Sequence, residues 1–299
     1  MAILSLGCGG PAEEARTETA NRGLSSGESR DPSTDSRVVL GFGVLAGNDP
    51  GMTYKGYQPL MDHLTAHTPF LFQIRLARTS DDLLRYVEER MAEIVPVGSV
   101  SYLEAHIQFG AVPLVKPLNR EGEPVSRSVF VVRRGSPLRN LVDLKGRSLA
   151  LGSFHSTWSN LVPRYELLRA GVSLEDLESL EHFDDDEAVA AAVLEGRFDA
   201  GAVEDVVAYR HGDKLESLHD SDPLPSAPLV IRDDLPTRVS QTVRDALLSL
   251  DFQEAEQRQH WDENIRYGFA PAADSDYDSV REILKTVPTR CEGTCHGNP

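Results

Sequence analysis

Ser153-Phe154-His155-Ser156-Thr157-Trp158-Ser159-Asn160-Leu161-Val162-Pro163-Arg164-Tyr165 is the stretch on which the reading of this chain turns. It follows a short apolar run over 148–152 that reads as a buried strand, and Leu161, Tyr165 and Leu168 then recur at helical spacing on one face. A strand, a hydroxyl-rich turn and a helix start are the parts of an anion site. The first N–H groups of a helix have no partner inside it, and the macrodipole places partial positive charge there. Ser and Thr hydroxyls add donors that can close round an oxyanion. The same residues also make an ordinary N-cap, with Ser156 or Ser159 as the capping residue. The local pattern leaves both readings open.

Upstream of this stretch, strands are expected over 38–45, 70–77, 94–97 and 111–118. Helical spacing separates them over 57–64, after Thr79-Ser80-Asp81-Asp82, and from Ser99 through Leu103 and Ile107. The β-branched run 128–133 opens a second unit of the same rhythm. It comprises a short helix over 138–144, the strand before Ser153, a helix ending near Ala170-Gly171, a weak strand over 178–183 and a helix over 185–194. A strand over 198–203 and a short helix over 206–210 complete it. Extended segments over 215–218 and 228–231 and a helix over 236–250 follow, and the remainder through Trp261 reads as helical. Strand–helix alternation with short connections predicts an α/β fold, each part a mostly parallel sheet with helices on both faces. One strand leaves the first unit and another returns, which predicts two lobes with a cleft between them. Lobe 1 takes 38–124 plus 223–299, and lobe 2 takes 125–222. In open parallel sheets ligands sit at the carboxyl ends of the strands, which is where Ser80, Ser99, the turn from Ser153 to Thr157, and Glu204 fall.

A chain of 299 residues, 40% hydrophobic, can bury a sizeable core in about two domains. Its net charge of −17 argues against nucleic acid or an anionic membrane surface as partner, and any anion site must work by local donors. His63, His67, His106 and His219 show no metal-ligand spacing. No nucleophile–base pair or acid dyad is evident, so neither an enzyme nor a resident metal or cofactor is expected. No segment approaches the roughly 18 apolar residues needed to cross a bilayer. At the start, Ile3-Leu4-Ser5-Leu6-Gly7-Cys8 resembles the cleavage site of a bacterial lipoprotein signal, with Ser5 in place of the usual Leu. Residues 1–8 then read as a remnant signal with Cys8 as the lipidated residue, and 9–37 as a disordered tether poor in apolar residues. At the other end, Cys291-Glu292-Gly293-Thr294-Cys295-His296 admits a local disulfide between Cys291 and Cys295. It also admits covalent haem at Cys291, Cys295 and His296, or metal-binding thiols. The wider cysteine spacing and the lack of a second axial ligand downstream weigh against haem.

Taken together, the motifs carry a family likeness over most of 38–250. Ser156-Thr157 with Leu161-Val162-Pro163-Arg164-Tyr165 resembles the head-group motif of the phosphate/phosphite/phosphonate-binding proteins of ABC importers. Tyr57-Gln58-Pro59-Leu60, Ser101-Tyr102 and Val142-Asp143-Leu144-Lys145-Gly146 are similar to further motifs of that family. So is Ala192-Val193-Leu194-Glu195-Gly196 with Asp199-Ala200-Gly201-Ala202-Val203. The resemblance implies a type II periplasmic-binding-protein fold with the ligand in the interlobe cleft. It implies an extracytoplasmic solute-binding protein for a phosphonate, phosphite or phosphate oxyanion, closing by a hinge and feeding an ABC permease. The location implied is the periplasm or the outer face of the cytoplasmic membrane, held by the lipid anchor, with the protein a monomer. A sensing module for a membrane signalling partner and a cofactor-biosynthesis enzyme on the same fold are the alternatives.

The resemblance assigns the oxyanion head to Ser156, Thr157 and the adjacent N–H groups. The departures concern the rest of the ligand. Ser80 stands where relatives often have Tyr, Val97-Gly98-Ser99 replaces an aromatic-bearing segment, and Val125-Ser126 replaces a Gly-Tyr pair. His155 stands for Asn, Trp158 for a small residue, and Asp186 for His. Trp158 and His155 therefore join the candidate ligand-binding residues. Asp186 reads either as part of an acidic helix start, Asp184-Asp185-Asp186-Glu187, or as a cleft-facing acceptor. Glu204 aligns with an acidic position that meets a ligand amine in some relatives. The two acids suit a zwitterion such as an aminoalkylphosphonate, or a partly protonated anion, because unpaired carboxylates beside a dianion are costly in a desolvated cleft.

Overall fold

The computed structural model describes residues 37–46 and 49–287. The expectations for Cys8, for the tether up to residue 36, and for Cys291, Cys295 and His296 lie outside the described residues.

β1 (Val39–Leu45) points Leu40, Phe42 and Val44 to one face of a sheet. Asp49 caps α1 (Pro50–His67), its carboxylate accepting the Gly51 and Met52 N–H groups at 3.0 Å, and Pro50 occupies the first turn, where its missing N–H costs nothing. β2 (Leu71–Ala77) runs parallel to β1. Thr79 and Asp82 form a capping box at the start of α2 (Ser80–Glu88). β3 (Ile94–Pro96), α3 (Ser99–Phe109) and β4 (Val112–Pro117) follow. A ribbon strand β5 (Val125–Ser126) then leads to β6 (Ser128–Arg133) and β7 (Ser148–Leu151) of a second sheet. That sheet continues through α4 (Val162–Arg169), β8 (Ser179–His182), α5 (Asp186–Leu194), β9 (Ala200–Glu204), α6 (Asp205–Arg210) and β10 (Leu215–Asp220). β11 (Leu224–Pro225) pairs antiparallel with β5 on the way back. β12 (Leu229–Ile231), α7 (Thr237–Leu248), β13 (Phe269–Pro271) and α8 (Asp278–Thr286) rejoin the first sheet.

The strand orders are β13-β4-β12-β3-β1-β2 and β10-β6-β9-β7-β8. Each sheet has helices on both faces. In the first, α1 and α7 cover Phe42 with Leu60, Leu64, Val243 and Leu247, while Val95 and Val97 meet Leu83, Val100, Val280 and Ile283 on the other side. In the second, period-2 alternation sends Val129 and Val131 to α5 and α6, and Phe130 and Val132 to α4.

The sheets are mixed, where the sequence predicts mostly parallel ones. β1–β2, β1–β3, β7–β8 and β7–β9 are parallel; β12 is antiparallel to β3 and β4, and β6 to β9 and β10. The cause is the crossover. β6 and β12 arrive from the other half and start beside the carboxyl ends of their neighbours, Ser128 opposite Glu204 and Leu229 opposite Pro96, so they must run the opposite way. The remainder toward Trp261 is helical as expected, as a 3-10 segment Phe252–Arg258, and beyond it comes the edge strand β13, which the sequence reading does not include. One further expectation changes. Leu168 is exposed and Leu167 buried, so Leu168 does not share the face of Leu161. A π-turn over Thr157–Leu161 inserts an extra residue and rotates the helix that follows.

Candidate functional site

The turn after β7 is shaped by two close contacts. Gly152 lets the chain fold back on itself, since a Cβ there would lie 2.0 Å from Ser159 Oγ, and its N–H donates to the Ser159 carbonyl at 2.9 Å. Ser156, rather than Ser159, is the cap: its hydroxyl accepts the Ser159 N–H at 3.1 Å, and the two hydroxyls are 2.6 Å apart. The Leu161 N–H closes the π-turn onto the Ser156 carbonyl at 3.0 Å. Pro163 then falls in the first turn of α4. Leu161 leaves its own half and packs among Val97, Val100 and Tyr277 of the first sheet's helical layer.

The start of α3 faces this turn. The Val100 N–H donates to Thr157 Oγ1 at 3.1 Å, and a Cβ placed on Gly98 would sit 3.6 Å from that oxygen and 3.9 Å from the His155 carbonyl oxygen. Two helix N-termini, from different sheets, thus meet at Thr157. Around them lie buried polar atoms with no hydrogen-bond partner among the described residues: Ser99 Oγ, the Trp158 indole N–H and the Asn160 side-chain oxygen. Such groups cost about 1–3 kcal/mol each when left unpaired, so a cluster of them calls for an explanation. His155 is exposed at the rim, with Nδ1 3.6 Å from a Glu104 carboxylate oxygen on α3.

Carboxylates form the other side of the site. Asp185 caps α5 through the Ala188 N–H at 2.7 Å, which leaves Asp186 to turn inward. Asp186 accepts the Glu204 N–H at 2.7 Å and also bonds the Ser159 hydroxyl, while burial pushes its pKa up. Glu204, at the end of β9, has a carboxylate oxygen 2.7 Å from Ser126 Oγ. Burial, and then the neighbouring Asp205 charge, push Glu204 up to about 8. Asp205 is itself raised, again mainly by burial.

Ser156, Thr157, Trp158, His155 and Ser99 are therefore gathered where the two halves meet, and Asp186 and Glu204 are linked to them through Ser159. Ser80 is the first residue of α2, and its side chain lies outside the described residues. Sequence reasoning did not nominate Ser126, Asp205, Ser159, Asn160 or Glu104. Val125-Ser126 was visible as a departure from the resemblance, and Asp205 as the neighbour of Glu204. Nothing local in the sequence marks Glu104, whose contact with His155 joins residues of different halves. Among the described residues no group of His, Cys, Asp and Glu is arranged to hold a metal ion.

A family model described as "ABC transporter, phosphonate, periplasmic substrate-binding protein" matches residues 42–277. The chain belongs to this family. Its phosphonate-binding-family fold is seen again in solved structures. PhnD1 from Prochlorococcus marinus in complex with methylphosphonate superposes with a TM-score of 0.73 at 21% identity, over 84% of this chain and 99% of that one. A binding protein component of an ABC phosphonate transporter from Pseudomonas aeruginosa gives 0.71 at 17% identity, over 87% and 91%. The periplasmic aliphatic sulphonate binding protein SsuA from Escherichia coli gives 0.55 at 16% identity, over 85% and 94%. As a phosphonate-binding-family protein the chain is a solute-binding component of an ABC transporter, of a periplasmic family that binds small ligands and works with a permease.

Proposed function

We propose that this protein captures a phosphonate-class oxyanion between two lobes, 38–124 with 223–299 and 125–222, and presents it to its permease on hinge closure. The observation that carries the reading is the meeting of two helix N-termini at Thr157, with the Ser99 hydroxyl and the Trp158 indole N–H beside it, neither with a partner among the described residues. Neutral donors of this kind can hold an oxyanion in a chain of net charge −17 without a paired cation. Ser156, Thr157 and Ser99 take the head group, Trp158 borders it, and His155 closes the rim. Asp186 and Glu204 set what the head group can carry: an alkyl or ammonium-bearing substituent, or a protonated anion such as phosphite. The protein acts as a monomer without enzymatic activity, anchored through Cys8. A thermal-shift screen over phosphate, phosphite, alkylphosphonates and aminoalkylphosphonates tests the class. A ligand at a hundredfold excess over Kd adds about 2.7 kcal/mol of stability. A shift with at least one of these anions is expected, and no shift with any of them rejects the reading.

A further inference from the structure

Ser126 sits where the chain crosses from the first sheet to the second, in the ribbon that β5 forms with β11 on the return crossing. Its hydroxyl oxygen lies 2.7 Å from Glu204 Oε1 and 2.9 Å from Asp205 Oδ1. Both separations are those of O–H···O hydrogen bonds. A serine hydroxyl carries a single hydrogen, so it donates to one carboxylate only. The second contact sets lone pair against lone pair unless that carboxyl itself carries a proton. The group of three therefore needs one hydrogen more than serine supplies.

The charged surroundings act in the same direction, against the Val206 and Arg127 backbone N–H groups, which donate to Asp205 and favour its ionised form. Asp186 on α5 faces Glu204, and Glu121 in the turn after β4 faces Asp205; both are acids. The adjacent Arg127 turns its guanidinium to the Ser221 carbonyl oxygen at 3.2 Å. Among the described residues no Lys, Arg or His forms an ion pair with Glu204 or Asp205, and each of the two is pushed up by burial. An oxyanion entering beside three ionised carboxylates would meet strong repulsion in a desolvated site.

We propose that Glu204 and Asp205 share one proton through the Ser126 hydroxyl, and that holding this proton is what lets an acid-lined site accept an oxyanion. The proposal rests on the oxyanion reading of the same site. Ser126 is then a positioning residue, fixing the two carboxyls at the distance at which one proton serves both. On ionisation the proton passes to solvent, the added negative charge faces the ligand, and binding weakens.

Two measurements test it. In the unliganded protein, NMR titration of isotope-labelled side-chain carboxyls should find Glu204 ionising near pH 8. In Asp205→Asn the amide becomes a permanent donor to Ser126, whose hydrogen is freed for Glu204, so Glu204 should ionise well below the wild-type value. Glu204 titrating in the ordinary carboxylate range in the wild type overturns the proposal. Methylphosphonate binding is then measured calorimetrically for wild type and Glu204→Gln. The ligand's own ionisation is common to both proteins and cancels in the ratio of affinities. From about pH 7 to about pH 9 the wild-type affinity should fall about tenfold further than that of the variant. Identical pH profiles overturn the proposal alone. If methylphosphonate does not bind, the same comparison is made with whichever of phosphate, phosphite or an aminoalkylphosphonate does; no binding of any of them by either protein at any pH overturns the oxyanion reading and the role of the proton with it.

Discussion

The Val100 N–H donates to Thr157 Oγ1 across 3.1 Å, tying the N-terminus of α3 in one half of the molecule to the turn after β7 in the other. Both residues are buried, and the contact fixes how closely the two helix starts approach. Thr157→Val keeps the shape and removes the acceptor, leaving the Val100 N–H unpaired. Thermal unfolding should show a loss of about 1–3 kcal/mol. Phosphonate affinity should fall at least about tenfold, the scale of a charge-assisted hydrogen bond.

Ser99 and Trp158 should behave in the opposite way toward stability. Ser99 Oγ and the Trp158 indole N–H have no partner among the described residues, so Ser99→Ala and Trp158→Phe remove polar atoms that contribute nothing to the unliganded fold. Ser99→Ala should leave the melting temperature unchanged or raised, while both variants bind oxyanion more weakly by calorimetry. Groups held for a ligand at the expense of stability give this pattern.

Gly152→Ala probes the turn itself. The new methyl group would stand 2.0 Å from Ser159 Oγ and 2.7 Å from Ser159 Cβ, and neither atom is the far end of a flexible chain. Overpacking of this kind costs about 1–3 kcal/mol. Denaturant titration should report that loss, with ligand affinity falling because Ser156 and Thr157 move with the turn.

Glu204 gives stability a pH dependence of definite sign. Burial holds its carboxyl up at about 8 in the folded protein, above the ordinary value of 4.5, so the folded protein holds the proton more tightly. The corresponding stability is fully present below about pH 4.5 and is lost as the pH rises through about 8. Glu204→Gln escapes this loss and should unfold at higher temperature than wild type at alkaline pH, by an amount equivalent to roughly 5 kcal/mol. The two proteins should converge in acid.

On the far side of the site, Arg210 of α6 pairs with Glu187 of its own half and reaches Glu263 at 2.9 Å. The adjoining Asp262 N–H is bonded to the Gly56 carbonyl on α1 at 2.9 Å, so this pair also spans the two halves. Arg120 adds a second tie, its guanidinium 3.6 Å from the centre of the Tyr209 ring. Half-exposed ion pairs contribute about 0.2–1 kcal/mol. Glu263→Gln should therefore weaken ligand binding less than about tenfold, and the difference from wild type should shrink as salt is added.

The elements that define the fold were largely legible in the sequence because their signals are local. The Thr79/Asp82 capping box, Pro163 near a helix start and the β-branched run of β6 each declare an element without reference to the rest of the chain. Strand direction was not legible, because it depends on where β6 and β12 enter their sheets after the crossover. The π-turn was missed for a related reason: a helical pattern over Leu161, Tyr165 and Leu168 assumes an unbroken ladder, and Gly152 and Ser159 break it by packing together. In the site, Thr157 and Glu204 announced themselves by type and by place at strand ends. Ser126 did not, since a serine gains its meaning there only from two carboxylates roughly eighty positions later.

The most direct test of the account is calorimetric titration of the wild-type protein and Thr157→Val with methylphosphonate, phosphite and an aminoalkylphosphonate near neutral pH. Saturable binding of at least one of them by the wild type, with affinity lowered at least about tenfold in the variant, is the predicted result. No binding by the wild type, or equal binding by both proteins, would contradict it.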